Sequence, residues 1–321
     1  MPINYSSNKL IERENLKHSV TEQKNKEKNK PIRFGVIDYF VTQPVTGWLA
    51  EEKKIQKKYG IEVYRGVPTE INSALLQGKI DIANVSSVAF GNNCDKWLLL
   101  PNLSVSSSGP VRSVLLFSYH EDWKKLDRCT IAITNQSETS VALLKSLCYE
   151  RYQIKPKFIV AESNLDAMLE KNSAALIIGD QALKEWALKR TVHGKKPYIF
   201  DLGEEWDSWM GYPFVYSVWA VRKEAASQVL DSPLLSLLRK SKKHGHTSLK
   251  KLAKSEKKKT NLPQALCEDY LKGMSYDLSL SHLRGLRFFL ELSVKNFHWR
   301  DIKFITTPAD NWKNLYMRND L

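Results

Sequence analysis

Between Pro31 and about Val221, short β-branched or apolar runs alternate with stretches of helical periodicity. Strands separated by helices are not joined as hairpins, so the pattern calls for βαβ units and mostly parallel sheets. The runs predict strands at Ile32–Ile37, Ile61–Arg65, Ile80–Val85, Val111–Ser118, Thr130–Ile133, Lys157–Val160, Ala174–Ile178 and Tyr198–Leu202. Helices are expected at about 44–58, 68–77, 87–93, 138–151, 163–171 and 180–190. A further strand, Phe214–Arg222, precedes helical segments at 222–239, 262–273 and 279–296.

A chain of 321 residues exceeds what one hydrophobic core usually serves. The strands group into an α/β protein of two lobes with a central ligand cleft. Residues 31–120 with 212–321 are expected to form lobe 1 plus C-terminal helices, and 121–211 lobe 2. Phe214–Arg222 returns the chain to lobe 1, so two crossings make a hinge, and ligands of open α/β sheets bind at the carboxyl ends of the strands. Residues 1–30 are polar and poor in aromatics, which predicts a disordered extension.

The net charge of +14 raises the question of a nucleic-acid partner. Its distribution answers against one: residues 1–33 carry +4 and residues 239–259 carry +9, leaving +1 on the rest. No aromatic residue interleaves the 239–259 run, so it is read as a solvated face rather than a stacking platform. No window approaches the roughly 18 apolar residues of a membrane span, and the N-terminal residues have no apolar stretch, so a cytoplasmic protein with no membrane partner is expected. Cys94, Cys129, Cys148 and Cys267 form no CxxC pair, which points to buried free thiols rather than disulfides or zinc. There is no GxGxxG, Walker loop, HExxH or GxSxG, and the seven histidines are scattered, so no metal or histidine-centred site is expected. The sequence sets no oligomeric state.

The strand ends carry the chemistry. Thr134-Asn135-Gln136-Ser137-Glu138-Thr139-Ser140 follows one strand and opens an apolar helix, where unpaired N–H groups, the helix dipole and hydroxyls make a seat for a carboxylate or phosphate. A cap is the ordinary role for Ser137 or Thr139, yet this run has more donors than capping needs. Ser86 and Ser87 directly follow another strand. In 106–113 Gly109 permits close backbone approach, and Ser113 can point into the cleft. Asp180 is expected to cap a helix. The acids of Asp201–Asp207 either cap a helix or act on a ligand, and Trp206, Trp209 and Trp219 either fill the core or wall a flat ligand.

The segments GVIDYFVTQPV, GKIDIANVSSVAFG, SSGPVRSVLLFS, TNQSETSVALLKSLCYERYQIKP, SAALIIGDQAL, FDLGEEW, GYPFVYSVWAVR and CEDYLKGMSYDLSLSHLRGLRFFLEL together resemble the chorismate dehydratase family of the futalosine route to menaquinone, over about 32–296. The resemblance implies a type II periplasmic-binding-protein-like fold, a small dicarboxylate substrate, no cofactor, and conversion of chorismate to 3-[(1-carboxyvinyl)oxy]benzoate with a substrate carboxylate as base. It implies Ser113 as the polar contact beside the reacting ring, and Ser86, Ser137, Thr139 and Ser140 as carboxylate donors, with Tyr39, Ser87 and Gly109 in the same loops. The family carries Asn in a Tyr-Leu-Asn-x-x-Pro pattern where this chain has Val41, so Thr42, Gln43 or Asp38 is expected to substitute, Thr42 first. Ser108 and Glu138 are further departures, from an acid and a basic residue respectively. Two alternatives stand beside it: a non-catalytic binder of an anionic aromatic molecule, and the sister enzyme that forms dihydroxynaphthoate, which leans on a histidine.

Overall fold

The computed structural model describes residues 30–305. In chain order these contain β1 (Ile32–Ile37), α1 (Gln43–Glu51), α2 (Lys53–Tyr59), β2 (Ile61–Gly66), α3 (Pro68–Leu76), β3 (Ile82–Ser86), α4 (Ser87–Asn92) and β4 (Trp97–Ser107). The chain continues through β5 (Val114–Ser118), β6 (Thr130–Thr134), α5 (Glu138–Ser146), β7 (Lys157–Ala161), α6 (Leu165–Lys171), β8 (Ala174–Ile178), α7 (Gly179–Leu188), β9 (Tyr198–Asp201) and α8 (Leu202–Met210). It then returns as β10 (Phe214–Arg222) and ends in α9 (Ala226–Asp231), α10 (Leu234–Thr247), α11 (Leu249–Thr260), α12 (Gln264–Lys272) and α13 (Leu280–Ser293). Apart from Lys30, the expected extension 1–30 lies outside the described residues.

Two five-stranded sheets result, ordered β2-β1-β3-β10-β4 and β7-β6-β8-β5-β9. In the first, β1 pairs in parallel with β2 and β3, and β10 runs antiparallel between β3 and β4. In the second, β6 is parallel to β7 and β8, and β5 is antiparallel to β8 and β9. Helices cover both faces of the central strands, which is why β3 and β8 are buried at every position; β8 accordingly reads as a continuous apolar run, whereas β3 carries Asn84 and Ser86.

The lobe boundary differs from the expected one at residue 120. Val114–Ser118 pairs with β8 and β9, so it belongs to the second sheet and the first crossing falls at 108–113. The physical reason is its apolar content: Leu115 and Phe117 fill the second lobe's own core with Ala175 and Ile177. Residues 111–113, expected in the same strand, are instead the crossing. Strand β4 was not expected, because Pro101 and Asn102 interrupt its apolar run. It forms at a sheet edge, where proline is tolerated, with register shifts opposite β10. The basic run 239–259 is the end of α10 and the whole of α11, whose Ala253 and Glu256 face inward while the lysines from Lys250 to Lys259 are exposed. No helix among the described residues is long and apolar enough to cross a membrane. Cys94, Cys148 and Cys267 are buried free thiols, and Cys129 is half-buried.

Helix α10 packs on α1 through Gly245, where a Cβ would overlap the carbonyl of Pro44. Gly245→Ala is therefore expected to force the two helices apart and cost about 2–3 kcal/mol, measured as a lowered urea midpoint. An unchanged midpoint would show that the contact gives way freely.

Candidate functional site

The strand ends of both sheets face a common cleft. It is lined by Ile37, Tyr39, Val41 and Thr42 after β1, Asn84 and Ser86 on β3, and Val111, Ser113 and Val114 at the first crossing. From the second lobe come Ser137 and Ser140 at the start of α5 and Ile178 and Gly179 at the end of β8; Tyr216 and Ser217 enter on β10. The cavity enclosed between the lobes is about 70 Å³, well below the roughly 300–1,000 Å³ of small-molecule sites, so a ring-sized ligand enters only when the lobes part. The cavity's walls are mostly aliphatic with the rings of Tyr39 and Tyr216, and its polar groups are hydroxyls and one amide. No Lys, Arg, His, Asp or Glu is among the lining residues.

The hydroxyls are not equivalent, because a side chain already donating to the protein has no proton to give a ligand. Ser86 Oγ accepts from Asn72 Nδ2 at 3.1 Å and caps α4 by accepting from Ala89 N at 3.4 Å. Ser140 Oγ accepts from Ser137 Oγ at 3.0 Å, while Ser137 Oγ accepts from Ser140 N and caps α5. Neither Ser86 nor Ser140 donates its own proton to a group among the described residues. Ser113 Oγ accepts from Tyr270 Oη at 2.9 Å and donates only a long bond, 3.4 Å, to Val111 O. Burial raises the Tyr270 phenol, so it stays the donor in that pair.

Other expected residues are placed differently. Thr42 is 2% exposed, and its hydroxyl donates to Ile37 O at 2.7 Å and Tyr39 O at 2.9 Å. It lines the cleft but fixes a turn, and its proton is spent. Asp38 is paired with Arg65 at 2.9 Å and largely exposed, and Gln43 is not among the lining residues, so the structure shows no free donor beside Val41 from these three. Ser87 Oγ donates to Val215 O at 2.6 Å and ties α4 to β10. Thr139 Oγ1 accepts from Val88 N at 2.9 Å, joining the lobes rather than facing the cleft. Gly109 has φ +84° with open space where a Cβ would stand, so it serves the turn rather than a close approach. Trp206 and Trp219 are fully buried core residues, and no tryptophan is among the lining residues. None of the described histidines lines the cleft.

Several side-chain bonds hold the lobes together, among them Ser146 Oγ with Ser293 Oγ at 3.2 Å, between α5 and α13. Besides Val88 with Thr139, Tyr39 Oη donates to Gln136 Oε1 at 3.2 Å, and Phe40 N donates to Asp180 Oδ1 at 3.1 Å. Asp180 was expected to cap α7; instead that helix has no side-chain cap and the carboxylate reaches across to lobe 1. Gly179, at φ +66°, lets the Tyr39 ring lie against the backbone, 3.1 Å from where a Cβ would be. Asp201 does cap its helix, accepting from Gly203 N at 2.9 Å and Glu204 N at 3.3 Å. It also accepts from Val111 N at 3.0 Å and Arg112 N at 2.6 Å.

Burial, the largest influence, pushes Asp180 up to about 7, with Glu256 and Asp38 adding repulsion and the Phe40 N–H and Lys259 opposing. A folded value above the unfolded 3.8 means that ionisation destabilises the native state. That penalty is absent below about pH 4, grows as pH rises from about 4 to about 7, and is constant above. Asp180→Asn keeps an oxygen for Phe40 N and removes the charge. It is expected to exceed the parent in stability by on the order of 2 kcal/mol at pH 8 and to match it near pH 4, read by urea unfolding at both values. A difference independent of pH would overturn this account.

Comparison with known proteins agrees with this architecture. A family model described as menaquinone biosynthesis matches residues 32–295. A chorismate dehydratase of Thermus thermophilus is 32% identical over 272 residues, 82% of this chain and 95% of that protein. Among solved structures, a protein of Archaeoglobus fulgidus matches with TM-score 0.65 at 16% identity, over 82% of this chain and 96% of its own. The periplasmic aliphatic sulphonate binding protein of Escherichia coli matches with TM-score 0.62 at 13% identity, over 88% and 94%. These structural likenesses establish the two-lobed periplasmic-binding-protein-like fold, and the family match, spanning both lobes and the cleft between them, places the chain in the menaquinone biosynthesis family.

Proposed function

We propose that this protein is a chorismate dehydratase, converting chorismate to 3-[(1-carboxyvinyl)oxy]benzoate and water in the cytoplasm, on the futalosine route to menaquinone. The observation that carries this reading, beside the family, is an uncharged, mostly aliphatic cleft with two tyrosine rings whose Ser86 and Ser140 hydroxyls keep their protons free. A ring with two carboxylates needs such an arrangement: apolar contact for the ring and charge-assisted donors at its two ends. Ser140, at the start of α5, takes the enolpyruvyl carboxylate where the helix dipole adds to its hydroxyl. Ser86 takes the ring carboxylate.

The proton lost in the reaction sits on the ring carbon that bears the ether, conjugated through a double bond to the ring carboxylate. As that C–H bond breaks, negative charge flows toward the carboxylate, where hydrogen bonds strengthen most and lower the barrier. The neighbouring C–O bond then breaks, the hydroxyl leaves with the proton as water, and the ring becomes aromatic. No carboxylate or histidine of the protein is among the lining residues, which supports a carboxylate of the substrate as the base. Ser113, seated by Tyr270 at the first crossing, contacts the reacting ring. The aligned fit between the lobes supplies the rest of the rate.

Incubating the protein with chorismate is expected to yield the enolpyruvyl benzoate, followed by chromatography. Ser86→Ala and Ser113→Ala are each expected to lower kcat/KM by about 10²–10³ with unchanged circular dichroism. Val41→Asn, which restores an amide where the family has one, is expected to raise kcat. A second reading rests on Val41 itself: tight chorismate binding without product, in both the parent and Val41→Asn, would make this a binding protein instead of an enzyme.

A further inference from the structure

Asn84 lies in the middle of β3, fully buried, between Ala83 and Val85. Its Nδ2 donates to Val218 O at 3.4 Å. Its Oδ1 has no hydrogen-bond partner, and it is the one buried side-chain atom of the described cleft-lining residues in that condition. An amide oxygen left unpaired in a core is costly, and a strand position of this kind is ordinarily filled by an aliphatic side chain. The unpaired atom is therefore matched to something that enters the cleft. It can only accept a hydrogen bond.

Chorismate with both carboxylates ionised has a single hydrogen-bond donor, its ring hydroxyl, and that hydroxyl is the leaving group. We propose that Asn84 is a specificity-determining residue whose Oδ1 accepts the hydrogen bond of the substrate's ring hydroxyl; this rests on the dehydratase reading. The placing agrees with the shape of the substrate. Asn84 and Ser86 are two apart on one strand and so share a face, about 7 Å apart along it. The ring hydroxyl and the ring carboxylate stand at opposite ends of a six-membered ring, so one strand face offers an acceptor to the first and a donor to the second. A hydroxyl whose hydrogen points at Asn84 turns its lone pairs away from the strand, toward the proton that it takes up on leaving as water. The same bond fixes the direction in which its C–O bond breaks.

The product separates this role from a structural one, because it keeps both carboxylates and the ether but has lost the hydroxyl. Chorismate affinity, as KM or by calorimetry where turnover is slow, and product affinity by calorimetry are measured for the parent, Asn84→Leu and Asn84→Ala. Chorismate affinity is expected to fall about 10-fold in either variant, with product affinity held within about twofold; product binding also reports that the variant is folded. Equal losses for both ligands in both variants, or no loss for either, would overturn the assignment. A parent that binds neither ligand would instead sink the dehydratase reading, and this inference with it.

Discussion

The buried carboxylate of Asp201 accepts hydrogen bonds from Val111 and Arg112 on the first crossing while capping α8, the helix that leads into the second. One side chain thus fastens both connections between the lobes. Arg112 can hold its strained φ of +59° there because the carboxylate takes its N–H. Tyr216, on the returning β10, bonds Ser107 at the end of β4, so the two crossings are tied a second time. The cleft residues Val111, Ser113 and Tyr216 flank this knot, which makes their positions depend on the hinge rather than on either sheet alone. Motion that opens the lobes has to pivot about a carboxylate that cannot leave its four N–H donors without exposing a buried charge.

The cleft's neutrality follows from what it has to do. A lysine or arginine would grip either carboxylate tightly in the ground state and release little more in the transition state, which lowers KM without helping the chemistry. Hydroxyl donors preset by their own partners are already oriented when charge arrives. Ser86 is held by Asn72 and Ser140 by Ser137, so in the proposed reaction neither pays reorganisation. Much of the protein's excess positive charge lies instead on the end of α10 and on α11, outside the cleft walls.

The two-lobed α/β fold was legible because strand cores announce themselves: Ile32–Ile37, Ala174–Ile178 and Phe214–Arg222 were bounded as they stand. What failed to show was anything decided by a distant partner. Val114–Ser118 reads as a strand in either lobe, and only packing against Ala175 and Ile177 chooses the second. β4 was hidden by Pro101, since an edge position tolerates a residue that local propensity forbids. In the site, Ser86, Ser113, Ser137 and Ser140 line the cleft as their strand ends suggested. Thr42 and Ser87 do not offer a donor there, because each spends its proton on a carbonyl that the sequence does not place beside it, and Thr139 turns to Val88 N rather than to the cleft. Asp180 looked like a cap for the same reason: its partner, Phe40 N, is 140 residues away.

Periplasmic binding proteins and this chain share a two-lobed fold, and the difference between holding a ligand and transforming it is a matter of where stabilisation is greatest. A cleft that satisfied every group of chorismate equally would be a binding protein. The arrangement here is uneven: Ser86 and Ser140 keep free hydroxyl protons, Val41, Val111 and Val114 present apolar surface, and no charged side chain is among the lining residues to compete for a proton. An apolar surround disfavours the water that would otherwise solvate the substrate's own carboxylate, and a poorly solvated carboxylate is a stronger base. Val41 has opposite effects in this scheme. It removes a donor, which weakens stabilisation of the developing charge, yet it dries the same region and strengthens the base, so the rate of the Val41 enzyme is set by which of the two is larger. Loss of one aimed donor costs about 10²–10³ in rate, more than a modest rise in basicity returns, so on the proposed dehydratase reading the balance falls toward slower turnover with binding preserved.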